Sequence, residues 1–388
     1  MRATCEGARQ ADTLSGNGNG NPLGWVCYGL GVVTLLIFTY SFLKTTNTVP
    51  FGTYWSTGKA ARQGLNPYGV YAETFRSNFT AFGGPASFPD VNLNPPCLLP
   101  LFQTLSTLPL AQFGVVWTIG SFLLFTFTAA LLVWSNPQIQ NRQVLWLLLS
   151  APVIGVIHNG QIYGLLYFLA GAAWVLYDRG QELAAAFAIG LLVSFKPTMA
   201  FWPAFLFIAG HRKLAGRSLA VIAVLAGYPA VLYGPAIYAE WFAALKHDLH
   251  WVAPMNVALI PLFMRLRLPS IGPVTAAVLA TALAWRSRNQ RGSFDAVSGM
   301  AICAGIFCAP LGWYDYVLMA APFFVARRWG YLSQFGAALL AIPTALAVMA
   351  AGSMIYLTAL AIVLTQFVGL TLPRAGRSDG FQSFTTLM

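Results

Sequence analysis

Apolar positions in this chain fall into long blocks and show no strand-like alternation. Runs of Leu, Ile, Val, Phe and Ala fill about twelve stretches, near 24–44, 110–134, 143–157, 161–177, 183–196, 198–210, 218–234, 270–286, 296–311, 314–326, 331–350 and 354–372, each reading as a membrane-embedded helix. The connectors are short and polar or basic. Several stretches fall below the roughly 20 residues of a full crossing, which is tolerated where helices line a polar cavity inside protein. The pattern therefore predicts an all-α, polytopic membrane protein of about twelve transmembrane helices.

The block pattern breaks between residues 45 and 109, taken as the first outer loop. Tyr54–Gln63 has helical spacing, with aromatic and apolar residues on one side and Lys59 and Arg62 on the other, as in an interfacial helix. Gly64-Leu-Asn-Pro-Tyr68 then supplies a helix stop and a turn. Pro89–Pro96 is an irregular polar turn running into the apolar Leu98–Leu108, so Asp90, Asn92 and Asn94 are expected to face a cavity near the membrane surface. The polar segments 1–22 and 374–388 read as cytoplasmic tails, the first loosely ordered, and 23–373 as one transmembrane domain. No cleavable leader is expected, because the first apolar run lacks a clear small-residue cleavage site.

Composition agrees with this class. Hydrophobic residues make up 57%, charged residues 9%, and the mean hydropathy of +0.64 leaves little for a separate soluble domain. The net charge of +11 raises the question of nucleic acid, but the positions of the charges exclude it. Arg212 and Lys213, Arg286, Arg288 and Arg291, and Arg327 and Arg328 cap apolar runs, the signature of cytoplasmic loops. Cytoplasmic termini put the larger share of the 22 Lys and Arg inside. The five cysteines form no CxxC pair, and no metal site or cofactor is expected.

That topology gathers the unusual polar residues on the outer face. Lys196 lies in Gly190–Pro197 between two apolar runs, and His158-Asn-Gly-Gln161 occupies a similar junction one hairpin earlier. Polar groups at such places are expensive in hydrocarbon and mark a ligand, here an anionic one. Lys196 is the first candidate for a phosphate, with Arg265 and His158 next. A snorkelling interfacial cation is the alternative for Lys196, a helix anchor for Arg265, and a hydrogen-bonded turn residue for His158. Asn159 and Gln161 are neutral donors suited to a sugar or phosphate, with helix capping as the alternative for Asn159.

Taken in order, Tyr54-Trp55, Gly58-Lys-Ala60, Asn66-Pro-Tyr68, Asn94-Pro-Pro96, Gly160-Gln161, Lys196-Pro197 and Pro310-Leu-Gly-Trp313 with Tyr316 resemble the family 87 glycosyltransferases. These are relatives of bacterial polyprenyl-phosphate-mannose-dependent mannosyltransferases with a GT-C fold. The resemblance implies a bacterial inner-membrane enzyme with a periplasmic site. Such an enzyme moves a sugar from a polyprenyl phosphate to a lipid or glycan acceptor. It marks Tyr54, Trp55, Asn94 and Trp313, beside Asn159 and Gln161, as sugar or acceptor contacts. The family generally carries an acidic base four positions before the aromatic pair, where this chain has Pro50. A prolyl ring takes no proton, so a base must come from another outer acid. Asp315 and Asp90 are the candidates, with a helix N-cap and a turn-forming Asp as their structural alternatives. A lipid-linked sugar transporter and a catalytically silent homologue that binds polyprenyl phosphate remain the alternative functions.

Overall fold

The structure is a computed structural model, and it describes residues 22–44, 49–69, 92–248, 256–290, 293–342 and 352–369. These are helical throughout, joined by turns and one isolated bridge between Asn256 and Trp313. The α-helices are α1 (Pro22–Lys44), α2 (Val49–Arg62), α3 (Leu99–Leu105), α4 (Leu110–Ser135), α5 (Asn141–Leu149), α6 (Ala151–His158), α7 (Tyr163–Asp178), α8 (Glu182–Phe195) and α9 (Phe201–Ile208). They continue as α10 (Arg212–Tyr233), α11 (Ala236–Asp248), α12 (Leu259–Arg265), α13 (Ile271–Arg288), α14 (Phe294–Cys308), α15 (Val317–Val325), α16 (Tyr331–Leu339) and α17 (Gly352–Val368).

Among the described residues, three helices are long and apolar enough to cross a membrane: Pro22–Leu43, Leu110–Ser135 and Arg212–Tyr233. Their outward faces are apolar. In α1 and α10, Leu30, Ile37, Val224 and Val231 are 61–84% exposed, an arrangement that suits lipid rather than water. The interior is built on α14, buried along nearly its whole length and flanked by α9, α13, α15 and α17. Trp202, Tyr167, Phe125, Phe323 and Phe324 are fully buried around it.

The expected count of twelve spans does not emerge. One stretch that reads as a single crossing is broken into shorter helices, for a local reason. The 143–157 block splits at Ser150, which is extended (φ −66°, ψ 152°) ahead of Pro152 in the first turn of α6. The Ala151 N–H then bonds the Leu340 carbonyl at 3.1 Å instead of extending α5. At Lys196 the break falls at the expected boundary between 183–196 and 198–210: the residue is extended (φ −140°, ψ 83°) before Pro197, since proline disfavours helical geometry in the residue ahead of it.

A second difference concerns α2. It forms where an interfacial helix is expected and ends as expected, with Gly64 at φ 70° and the Leu65 N–H closing back on Ala60 O. Yet residues 52–58 are buried on every side, and only its C-terminal end, around Lys59 and Arg62, emerges. The helix is wrapped by protein because Gly58 lets it lie on α3: a Cβ there would collide with the Phe102 carbonyl.

The two ends of the bundle differ in chemistry. At one end the arginines tie connectors together. Arg179 lies 4.2 Å over the Trp134 ring, Arg327 donates to Gln366 O (2.8 Å), Arg286 donates to Val368 O (2.9 Å), and Gln143 donates to Arg327 O (2.8 Å). Trp174 bonds Asp295 (2.8 Å) and Tyr177 meets His211 (3.2 Å) at the same end. The Lys196 connector lies at the opposite end, with the turns carrying Gln161, Asn94 and Trp313.

Candidate functional site

The site is assembled from helix α2 and four connectors. Its first wall is aromatic. Tyr54 of α2 stacks on Phe102 (4.9 Å between centroids, 7° between planes) and leans on Trp117 (5.1 Å). The Tyr54 hydroxyl donates to Gln161 Oε1 at 2.9 Å. Gln161 follows the end of α6, where Gly160 turns at φ 56° and the Gln161 N–H returns to Val156 O at 3.0 Å, a C-terminal cap of Schellman type. Trp117 fixes this turn by donating its indole N–H to Gly160 O at 2.8 Å.

The second element is the Lys196 turn. The Cys97 thiol donates to Ser194 O at 3.1 Å, bringing the Asn94-Pro-Pro96 turn beside it. Lys196 is half-buried, and its Nζ lies 4.3 Å from the Tyr316 ring centroid and 5.4 Å from that of Tyr163. The two rings meet edge to face at 5.0 Å. Among the described residues Lys196 forms no ion pair. The one salt bridge there, Arg217 to Glu182 at 3.7 Å, is exposed and at the opposite end. Ring faces hold a desolvated cation by about 2 kcal/mol, and their π clouds carry no net charge. The ammonium is therefore placed to gain from an arriving anion.

The third element runs from Pro310 to Tyr316. Asp315 is buried, and its Oδ1 has no hydrogen-bond partner among the described residues. It sits over α6: a Cβ built on Gly155 would lie 3.5 Å from Asp315 Oδ1 and 2.6 Å from the Tyr314 hydroxyl. Burying a carboxyl costs free energy, which the neighbouring Tyr314 hydroxyl offsets in part.

The other expected residues scatter more. Trp313 is half-buried and bridged to Asn256. Asn94 is half-buried, its backbone and side-chain N–H groups both bonded to Asn92 Oδ1 at 3.0 and 2.8 Å. Tyr68 donates to Asn94 O at 2.9 Å, and burial raises its phenol well above the usual range. His158 is exposed, its ring 5.1 Å from that of Phe42. Asn159 is exposed, and its carbonyl accepts from Gln161 Nε2 at 3.5 Å. Arg265 donates to Asn256 O at 3.0 Å, and partial burial lowers its pKa. Trp55 is enclosed in the interior with its indole N–H on Leu108 O at 2.9 Å, which commits it to packing. Pro50 falls in the first turn of α2, where a missing N–H is harmless. Asp90 lies outside the described residues.

Tyr163, Trp117 and Asn256 were not singled out in the sequence. A tyrosine or tryptophan in an apolar run resembles ordinary core, and Asn256 follows a tract with no distinctive pattern. The juxtaposition of Gln161-Ile-Tyr163 with Lys196-Pro197 was the only available hint for Tyr163.

Among the described residues, the helical bundle gathers its polar connectors at one end, around a lysine without an ion pair and a buried carboxyl. The model of glycosyltransferase family 87 matches residues 92–310, more than half of the chain, and the chain belongs to that family. The match includes Asn94, Gln161, Lys196, Asn256 and Arg265 and stops short of Trp313–Tyr316; Tyr54 precedes it. No curated protein matches the chain, and no solved structure matches it.

Proposed function

We propose that this glycosyltransferase takes a hexose such as mannose from a polyprenyl-phosphate donor, within a GT-C-like frame. The acceptor is the hydroxyl of a lipid or glycan, at the periplasmic face of a bacterial inner membrane. The observation that carries the reading is Lys196, a half-buried cation held only by tyrosine faces among the described residues. The donor phosphate neutralises it. Gln161 and the Tyr54 hydroxyl, already bonded to each other, offer neutral contacts to the sugar. A carboxylate takes the proton of the acceptor hydroxyl as its oxygen attacks the anomeric carbon. The bond from that carbon to the phosphate oxygen breaks, and polyprenyl phosphate leaves with the electron pair beside Lys196. With Pro50 in the place of the family's acid, Asp315 is the base assigned here, and Asp90 the second choice.

The test is transfer from a radiolabelled polyprenyl-phosphate sugar by purified protein in lipid. Lys196→Ala should lose about 2 to 3 kcal/mol of transition-state binding, roughly 30- to 150-fold at limiting donor, while still accumulating in the membrane. Lys196→Arg keeps part of the activity. Unchanged transfer by the alanine variant sinks the role of Lys196. Pro50 also favours a second reading, a silent homologue that binds the donor without turning it over. That reading prevails if the wild type retains labelled donor but forms no product.

A further inference from the structure

The connector that carries Asp315 and Tyr316 does not hold itself in place. Its grip comes from Asn256, a fully buried residue 54 positions upstream of Pro310. The Asn256 amide donates to Pro310 O at 3.3 Å, and its Oδ1 accepts from the Gly312 N–H at 3.0 Å and the Ala258 N–H at 3.2 Å. The Asn256 backbone bridges Trp313, and the Val257 N–H adds a bond to Gly312 O at 2.8 Å. Arg265 donates to Asn256 O at 3.0 Å, fixing the brace from behind. Gly312 admits this close approach because a Cβ would run into the Ile306 carbonyl and stand 3.0 Å from Ala258 Cβ. One residue on, the Trp313 carbonyl accepts the Tyr316 N–H at 3.0 Å, and that bond opens the turn presenting the Tyr316 ring to Lys196.

We infer that Asn256 is a positioning residue: by fixing Pro310, Gly312 and Trp313 it keeps the Tyr316 ring against the Lys196 ammonium, setting where the donor phosphate is met. The inference rests on the reading of Lys196 as the phosphate-binding cation. An asparagine suits the task because one planar side chain satisfies a carbonyl and two N–H groups together, and a buried backbone group left without its partner is costly. A leucine of similar volume would fill the space and leave all three unpaired. Arg265 acts in the same brace from the Asn256 backbone.

The experiment measures how fast Lys196 is modified by an amine-reactive reagent in detergent-purified, monodisperse full-length protein, read by mass spectrometry of the Lys196 peptide. No sugar donor is needed, so the result stands apart from whether the protein transfers sugar. Removing the brace frees the connector, and Asn256→Ala should raise the rate of Lys196 modification roughly fivefold or more, as loss of one or two net hydrogen bonds implies. Asn256→Asp, which keeps the acceptor for Gly312 and Ala258, should fall between wild type and alanine. Asp295→Ala removes the acceptor of the Trp174 indole N–H at the other end of the bundle and should leave Lys196 modification unchanged. In the transfer assay, Asn256→Ala raises the KM for donor more than it lowers kcat. Wild-type modification of Lys196 in Asn256→Ala, an equal rise in Asp295→Ala, or an unchanged donor KM overturns the assignment. If the alanine variant fails to accumulate, Asn256→Asp decides: faster modification supports the brace and a wild-type rate refutes it.

Discussion

Lys196 and Asp315 show how much chemistry rests on two side chains with unusual surroundings. The ammonium is placed over Tyr316 and Tyr163, while the Asp315 carboxyl is buried beside the Tyr314 hydroxyl. Burial that costs stability is retained where function needs the group. Asp315→Asn keeps shape and removes the basic oxygen, so sugar transfer should fall about 100-fold or more if Asp315 is the base. The variant should melt no lower than wild type, because an amide is cheaper to bury than a carboxylate. Rates equal to wild type for Asp315→Asn and Asp90→Asn alike would remove both acids from the mechanism. The Tyr54 hydroxyl gives a smaller effect. Tyr54→Phe keeps the stack on Phe102 and loses the bond to Gln161, and a drop of about fivefold in transfer is expected from roughly 1 kcal/mol.

Among elements, α2 is the one whose setting matters most. It carries Tyr54 into the site, and it reaches there by lying directly on α3. Gly58→Ala forces a Cβ onto the Phe102 carbonyl, so α2 must move outward, at a cost of about 1 to 3 kcal/mol as for other overpacked contacts. The expected readout is a lowered melting temperature in detergent together with loss of transfer beyond that of Tyr54→Phe. A Gly58→Ala protein as stable and active as wild type would show that the close contact is dispensable. The breaks at Ser150 and Lys196 follow the same logic. In each, a proline one or two positions on stops the helix and turns the chain, at Ser150 inside a stretch read as one span and at Lys196 on an expected boundary.

Over the whole molecule, the arginine-laced end and the Lys196 end define an axis. The arginines at the first end bond backbone carbonyls and stack on rings, as cytoplasmic-side anchors do. Lys246, on α11, is exposed, and Arg288 is exposed at the C-terminal end of α13. With the Lys196 end outside, a cysteine replacing Lys246 should react with a membrane-impermeant thiol reagent in intact spheroplasts. One replacing Arg288 should react only after permeabilisation. The reverse pattern would place the site on the cytoplasmic side and overturn the proposed direction of transfer.

The one-dimensional pattern determined the helical membrane class, because backbone groups in lipid are satisfied only within helices or closed barrels, and long apolar blocks without strand-like alternation fit helices. It also determined which polar residues stood out, since Lys196, Gln161 and Asn94 interrupt apolar runs and are visible without any partner. What the tertiary structure decided is which of these meet. Cys97 reaches Ser194 across 97 positions and Tyr54 reaches Gln161 across 107, separations that no local periodicity encodes. The burial of α2, the commitment of Trp55 to packing, the tyrosine faces around Lys196 and the brace by Asn256 all depend on neighbours supplied by distant segments. A side chain's type is written in the sequence, whereas its solvent and its partners are set only when the helices pack.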